Sequence, residues 1–223
     1  NIELVLSDST PSEWVRVNAG RYVMGRPDEN ERYLLKTQVD LVNRAQKEIL
    51  IANVFSLFVP EMKLALRRAA ARGVKIKILT NEPFTNKGIP MVNIIGRFYY
   101  RDLVYANHPG LEAKLDPSLE FKPSQVEIYE WVGPKDGKIE EAVMHSKFMV
   151  IDQKIAEIGS FNMDYASLKN PEQMVVFNSP ELALKLAQNF TEDQSYAKKL
   201  TLEEIDSFKS KKGSRFLLFI SKI

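Results

Sequence analysis

The chain has 223 residues, 44% hydrophobic and 27% charged, with 31 Lys+Arg against 29 Asp+Glu and a formal net charge of +2. That length buries a sizeable core as one large domain or two small ones, and the balanced charge gives no bulk argument for nucleic acid, although a local basic groove is compatible with it. Zero cysteines exclude disulfides and thiol-based zinc or nucleophile chemistry, and no run of about 18 apolar residues marks a membrane span.

The N-terminus, Asn1-Ile2-Glu3-Leu4-Val5-Leu6, carries no initiator Met, basic leader or signal core; it reads as a processed or excised segment that opens with a short strand at Leu4 to Leu6. Residues 7–31, with Pro11, Gly20, Gly25 and Pro27, read as loop or linker. Asp28 and Asn30 are caps for a helix expected from Glu31 to Lys47, where Leu34, Leu35, Val39, Leu41, Val42 and Ala45 keep helical spacing. The stretch Ile49 to Phe55 is a strand-length apolar run suited to burial on both faces. Pro60 and Gly73 bracket a helix, and Val74, Ile76 and Ile78 then alternate with Lys75 and Lys77 as the next strand. Strand, helix, strand at this spacing predicts a parallel crossover unit.

A helix interrupted by Gly96 is expected from Val92 to Tyr105, followed by an irregular segment over 107–124 and a strand from Val126 to Trp131. A polar loop, Gly133 to Glu141, leads to strands at Lys147 to Ile151 and Ile155 to Ile158, joined by a turn at Asp152-Gln153-Lys154. Another strand is expected from Gln173 to Phe177. Ser179 and Pro180 open a helix to about Phe190, and a short helix spans Thr201 to Phe208. The tail carries Lys209, Lys211 and Lys212, then apolar Phe216 to Ile220. No internal repeat is present. The pattern predicts an α/β fold, a mixed and mostly parallel sheet with helices on both faces.

One block of residues carries chemistry: His145-x-Lys147, then Asp152, then Gly159-Ser160-x-Asn162. On a strand, positions 145 and 147 share a face, so an imidazole and an ammonium converge on one anion while Met144, Ser146 and Phe148 face away. A neutral imidazole, with an ordinary pKa of about 6.5, is a good nucleophile toward phosphorus. Lys147 supplies charge where equatorial oxygens gain it, and Ser160 and Asn162 add neutral donors. Gly159 allows close approach of backbone, and Asp152 reads as a turn aspartate. The product of attack is a phosphohistidine, and two inversions sum to retention. An acid is still needed to protonate the leaving alkoxide from the opposite face, so a second histidine is a physical demand. The other histidine, His108, sits before Pro109-Gly110 and reads as a surface turn residue. Glu172 is a carboxylate that a strand start could bring to the imidazole, to fix its tautomer.

These residues resemble the signature of the phospholipase D superfamily. The stretch from Gly159 to Ser167 and the string Asn170-Pro171-Glu172 are similar to its cardiolipin synthase and phosphatidyltransferase branch, as are Phe58-Val59-Pro60, Arg72-Gly73-Val74, Leu79-Thr80-Asn81 and Val126 to Glu130. The resemblance covers roughly residues 40–195. It implies that His145 is nucleophile or acid/base, that Lys147, Ser160 and Asn162 bind phosphate, that Asp152 and Gly159 are structural, and that Glu172 orients His145. It implies no cofactor and no metal. Residues 1–31 then form an N-terminal strand and linker, and 32–223 a catalytic half-domain similar to the C-terminal half of a two-motif enzyme. The partners it implies are a phospholipid substrate and a second His-Lys half, from the N-terminal half of a parent protein or a homodimer. Phe55, Leu57, Phe58, Phe84 and Ile89 are candidates for an apolar rim, and the Lys209 cluster for contact with anionic lipid at a membrane periphery; a cytoplasmic location fits equally. The alternatives are a homodimeric phosphodiesterase or nuclease acting on nucleic acid, and a non-catalytic module of the same fold. Ala166 stands where the branch has Arg, and Asn81-Glu82 departs from its usual Asn-Ser.

Overall fold

The apolar runs of the sequence become the middle strands of one sheet because they have neighbours on both faces. The computed structural model describes residues 17, 19–29, 32–84, 90–109, 120–134 and 143–208. Eight strands are present among them: β1 (Ala19–Gly25), β2 (Glu48–Asn53), β3 (Lys75–Asn81), β4 (Val126–Trp131), β5 (Lys147–Ile151), β6 (Ile155–Gly159), β7 (Glu172–Asn178) and β8 (Ala197–Lys199). The helices are α1 (Tyr33–Arg44), α2 (Pro60–Ala71), α3 (Pro90–Val104), α4 (Pro180–Ser195) and α5 (Leu202–Ser207). The strand order is β1-β7-β6-β5-β2-β3-β4-β8.

Alternate residues of β2 and β5 feed two apolar layers. Ile49, Ile51, Met149 and Ile151 pack beneath α1, α2, α3 and α5. Leu50, Ala52, Phe148 and Val150 pack beneath α4 through Ala183, Leu186 and Phe190. A fully buried side chain of this size contributes about 1.5–3 kcal/mol, so the site is carried by strands anchored on both faces.

The mixed sheet agrees with expectation, but its parallel content does not. Only β2 with β3 and β3 with β4 are parallel. The other five neighbouring pairs are antiparallel. Only two helical crossovers, α2 and α3, lie between strands that pair side by side, and parallel pairing requires such a crossover. From β5 onward the chain turns back on itself. Ile151 and Lys154 close a tight turn, with Asp152 and Gln153 at positive φ of 52° and 55°. That is the geometry favoured for a two-residue hairpin turn.

The linker expected over 7–31 is corrected at Ala19–Gly25, which pairs along its whole length with β7. Its residues are exposed except Val23 and Gly25, so no clean two-residue alternation of apolar side chains announces it. The short edge strand β8 is likewise new, and its three residues gave no periodic signal. α1 begins at Tyr33 behind Arg32, with no side-chain cap, and Asp28 lies instead in a short 3-10 turn over Pro27–Glu29. Gly96 does not break α3. A Cβ there would lie 2.6 Å from Ser56 Oγ, so the missing side chain lets the helix pack on the loop after β2. The expected strand at Leu4 to Leu6, the cap Asn30, the Lys209 to Lys212 segment and Phe216 to Ile220 lie outside the described residues.

Candidate active site

β5 begins at Lys147, beside the C-terminal end of β2, because the two strands run antiparallel and Lys147 stands opposite Asn53. His145 lies two residues earlier, exposed, in the approach to β5. Met144 and Phe148 join the apolar layer beneath α4, which turns His145 and Lys147 toward the opening. Lys147 Nζ is 3.3 Å from His145 Nδ1 and 3.2 Å from Nε2, and it donates to the His145 carbonyl at 3.2 Å. The convergence expected from alternation is present.

Desolvation and the Lys147 ammonium together hold the His145 pKa below 6.5. Both act against the imidazolium, so the ring is neutral and nucleophilic at neutral pH. Burial also lowers the Lys147 pKa, while the carboxylates of Glu172 and Asp164 oppose that fall.

Ser160 follows β6 and Glu172 opens β7. The Ser160 hydroxyl donates to the Glu172 carboxylate. The Ser160 N–H donates to the Gln173 carbonyl at 2.9 Å, and the Gln173 N–H returns to Ser160 Oγ at 3.1 Å. Glu172, expected to orient the imidazole, thus has Ser160 as its hydrogen-bond partner in this structure. The Glu172 carboxylate also reaches the motif electrostatically through Lys147. The close approach of these strands requires Gly159, because a Cβ there would sit 2.4 Å from the Gln173 carbonyl oxygen.

Asn162 is held from behind. Its N–H donates to Ser167 Oγ at 3.1 Å, and the Ser167 N–H donates to Asp164 Oδ1 at 2.7 Å. Its own amide oxygen is buried without a hydrogen-bond partner. Met163 has φ of 60° and its carbonyl accepts from the Val59 N–H at 3.0 Å, which draws the 160–164 loop toward the loop after β2. Asp152 is a structural clamp. Its carboxylate accepts from the N–H groups of Gln46, Lys47 and Glu48 at 2.9, 2.7 and 2.9 Å. Burial pushes its pKa up, but those three backbone bonds outweigh it and hold the carboxyl below its ordinary value.

His108 is not a surface turn residue. It is 1% exposed, Nδ1 lies 2.8 Å from Asp102 Oδ1, and its ring stacks on Phe121. It follows the Tyr105–Pro123 bridge, just before the N-terminal end of β4, at the opposite end of the sheet from His145. Among the rim candidates, Phe84 is 69% exposed and Phe58 is buried at 2%; Phe55 and Leu57 are half-buried, and Ile89 lies outside the described residues. Among the described residues, no group of three or more His, Asp and Glu side chains is arranged to hold a metal, and no helix is long and apolar enough to cross a membrane.

Two buried residues at the site carried no assigned role in the sequence reading. Asn53 ends β2 opposite Lys147, accepts from the Phe55 N–H at 3.2 Å and leaves Nδ2 without a partner. Asn81 ends β3 and bonds the backbone of Met144. The signal for Asn53 was a polar residue closing an apolar, doubly covered run; β3 carries Lys75, Lys77 and Thr80, so Asn81 had no such signal.

Residues 39–194 match the family model described as cardiolipin synthase, PLD-like domain. The chain belongs to this cardiolipin synthase, phospholipase D-like family. Among relatives, cardiolipin synthase B of Shigella flexneri is 30% identical over 166 residues, covering 73% of the chain and 32% of that protein. A probable cardiolipin synthase of Bacillus subtilis is 28% identical over 165 residues, covering 73% of the chain and 27% of that protein. The chain thus spans about a third of the length of such relatives. The phosphatidylserine synthase structure from Haemophilus influenzae superposes with a TM-score of 0.64 at 13% identity, over 92% of the chain and 47% of that one. Nuc from Salmonella typhimurium, a phospholipase D family member, superposes with a TM-score of 0.57 at 21% identity, over 82% and 99%. These two likenesses establish the phospholipase D-like fold. Ala166 is exposed and precedes a 3-10 turn at Ser167–Lys169.

Proposed function

We propose that this phospholipase D-like chain supplies one of two His-Lys halves of a metal-independent site that cleaves or transfers phospholipid phosphodiesters through a phosphohistidine. The observation that carries the reading is the convergence of the neutral His145 ring and the Lys147 ammonium at the C-terminal edge of the sheet. An unprotonated ring nitrogen of His145 attacks phosphorus in line, and the bond to the leaving alkoxide breaks. Lys147 neutralises charge on the equatorial oxygens, the Asn162 side-chain amide offers a donor beside it, and Ser160 joins them by turning its hydroxyl proton from Glu172 to phosphate. The leaving oxygen takes its proton from an acid on the far face, and the same group then deprotonates water or a lipid alcohol that displaces His145. His108 lies at the wrong end of the sheet for that work, so the acid belongs to a second half, supplied by a longer parent chain or a second copy.

The test replaces His145 by Asn in the full assembly and follows release of head group from phospholipid vesicles. Turnover should fall by at least about 10³-fold, as for loss of other covalent nucleophiles. Unchanged turnover refutes the reading. Release from single-stranded DNA, with none from lipid, would transfer the same chemistry to a nucleic-acid substrate.

A further inference from the structure

Asn81 is the last residue of β3, and its side chain is fully buried in the junction between two site loops. Its Nδ2 donates to the Val54 carbonyl at 3.1 Å and to the Met144 carbonyl at 2.8 Å. Its Oδ1 accepts from the Met144 N–H at 3.0 Å. One side chain thus holds both backbone groups of the residue before His145 and fastens them to the loop that leaves β2. Both amide protons and the amide oxygen are used, so the geometry has no slack that a shorter or differently shaped side chain could absorb.

We infer that Asn81 is a positioning residue for His145, fixing the Met144 peptide so that the imidazole is presented to phosphorus beside Lys147. The assignment rests on His145 being the nucleophile. His145 lies outside a strand, so no ladder hydrogen bond sets its backbone; the Asn81 clamp takes that place one residue upstream. Thr80 provides a built-in control. It is equally buried and donates from Oγ1 to the same Val54 carbonyl at 3.3 Å, but it has no hydrogen bond to Met144. Loss of Thr80 therefore weakens the same loop junction without freeing the His145 segment.

The experiment compares Asn81→Ala with Thr80→Val in the full chain by NMR titration of the imidazole C–H signals, and in the full assembly by turnover. The chain has two histidines, and His108 is buried against Asp102, so the solvent-facing ring is His145. The charged groups around that ring are Lys147, and behind it Glu172 and Asp164, none of which either substitution alters. In Asn81→Ala the His145 midpoint should rise toward 6.5 as the ring leaves Lys147, and turnover should fall about 10- to 100-fold with little change in KM. Thr80→Val should leave both readouts in place. A folded Asn81→Ala chain with the parent His145 midpoint and turnover overturns the inference, as does an equal response from Thr80→Val. Should Asn81→Ala fail to fold, Asn81→Ser, neutral and less cavity-forming, is held to the same outcomes. If His145→Asn leaves turnover intact, the nucleophile reading fails by itself, and the NMR comparison still decides whether Asn81 sets the ring.

Discussion

Glu157 lies in the middle of β6, 2% exposed, facing the apolar layer beneath α1. Its carboxyl accepts from Gln38 Nε2 at 3.2 Å, and no cation among the described residues offsets it. Burial pushes its pKa up from 4.5 to about 8, with the Gln38 bond opposing only part of the rise. The protonated form also suits the site, because Gln38 Oε1 is buried without a partner and a carboxylic acid has an O–H to offer. The sign follows from linkage. The unfolded chain ionises Glu157 above 4.5, whereas the folded chain keeps the proton until about 8. Stability is therefore complete below 4.5 and is lost as pH rises through the folded value. At about 1.4 kcal/mol per pH unit the full loss is about 5 kcal/mol, of which about 4 kcal/mol falls between pH 5 and 8.5. That is a large share of the stability of any domain. Glu157→Gln keeps the shape and the contact with Gln38 but cannot ionise. Urea unfolding of the two proteins at pH 5 and pH 8.5 should show the variant gaining several kcal/mol on the parent as pH rises. Parallel pH dependence in the two proteins would refute the buried-acid account.

Gly159→Ala places a Cβ 2.4 Å from the Gln173 carbonyl oxygen and 2.9 Å from Met174 Cα, so β6 and β7 must separate. A loss of about 1–3 kcal/mol in thermal unfolding is expected, together with faster hydrogen exchange at the Ser160 amide, which bonds Gln173. Asp152→Ala removes the shared acceptor of three backbone N–H groups and should cost about 1–3 kcal/mol at neutral pH, measured by urea unfolding. Because the Asp152 pKa is lowered, the deficit should shrink as pH falls through that value, where the parent carboxylate also loses its charge. The acid limb of the turnover profile should lie below pH 6.5, since the His145 base form is the active one and its pKa is lowered. Lys147→Met should move that limb upward only in part, because burial outweighs the Lys147 charge, and should also lower the rate at every pH.

The motif was legible in sequence because the needed side chains are local: His145 and Lys147 are two residues apart, and Gly159 to Asn162 follow one hairpin later. The central strands were legible for a similar reason, since burial on both faces leaves an unbroken apolar run such as Ile49 to Ala52. What failed was pairing. β1 has only two buried residues and is held by backbone bonds to β7, a contact between segments about 150 positions apart that no local periodicity encodes. The hydrogen-bond partner of Glu172 was no more legible. A carboxylate at a strand start carries no local mark of its partner, and the bonds between Ser160 and Gln173 bring the neighbouring Glu172 to the Ser160 hydroxyl. His108 was misread because Pro109-Gly110 marks a turn without saying which way the preceding ring points, and Asp102 and Phe121 draw it inward.

The antiparallel join between β2 and β5 explains why the chemistry gathers where it does. From β2 the chain advances through β3 to β4 on one side, then returns to place β5, β6 and β7 in order on the other. The loop leaving β2 and the approach to β5 therefore lie side by side at the carboxyl ends of β2 and β3, the end of the sheet where ligands bind in open α/β folds. A β5 parallel to β2 would carry its N-terminal approach, and His145 with it, to the other end of the sheet. Running antiparallel, it delivers His145 and Lys147 beside Asn53 and Asn81, where the bonds of Asn81 to Val54 and Met144 tie the two loops together. The strand direction that the sequence reading underestimated is thus the feature that puts the imidazole at the carboxyl ends of β2 and β3.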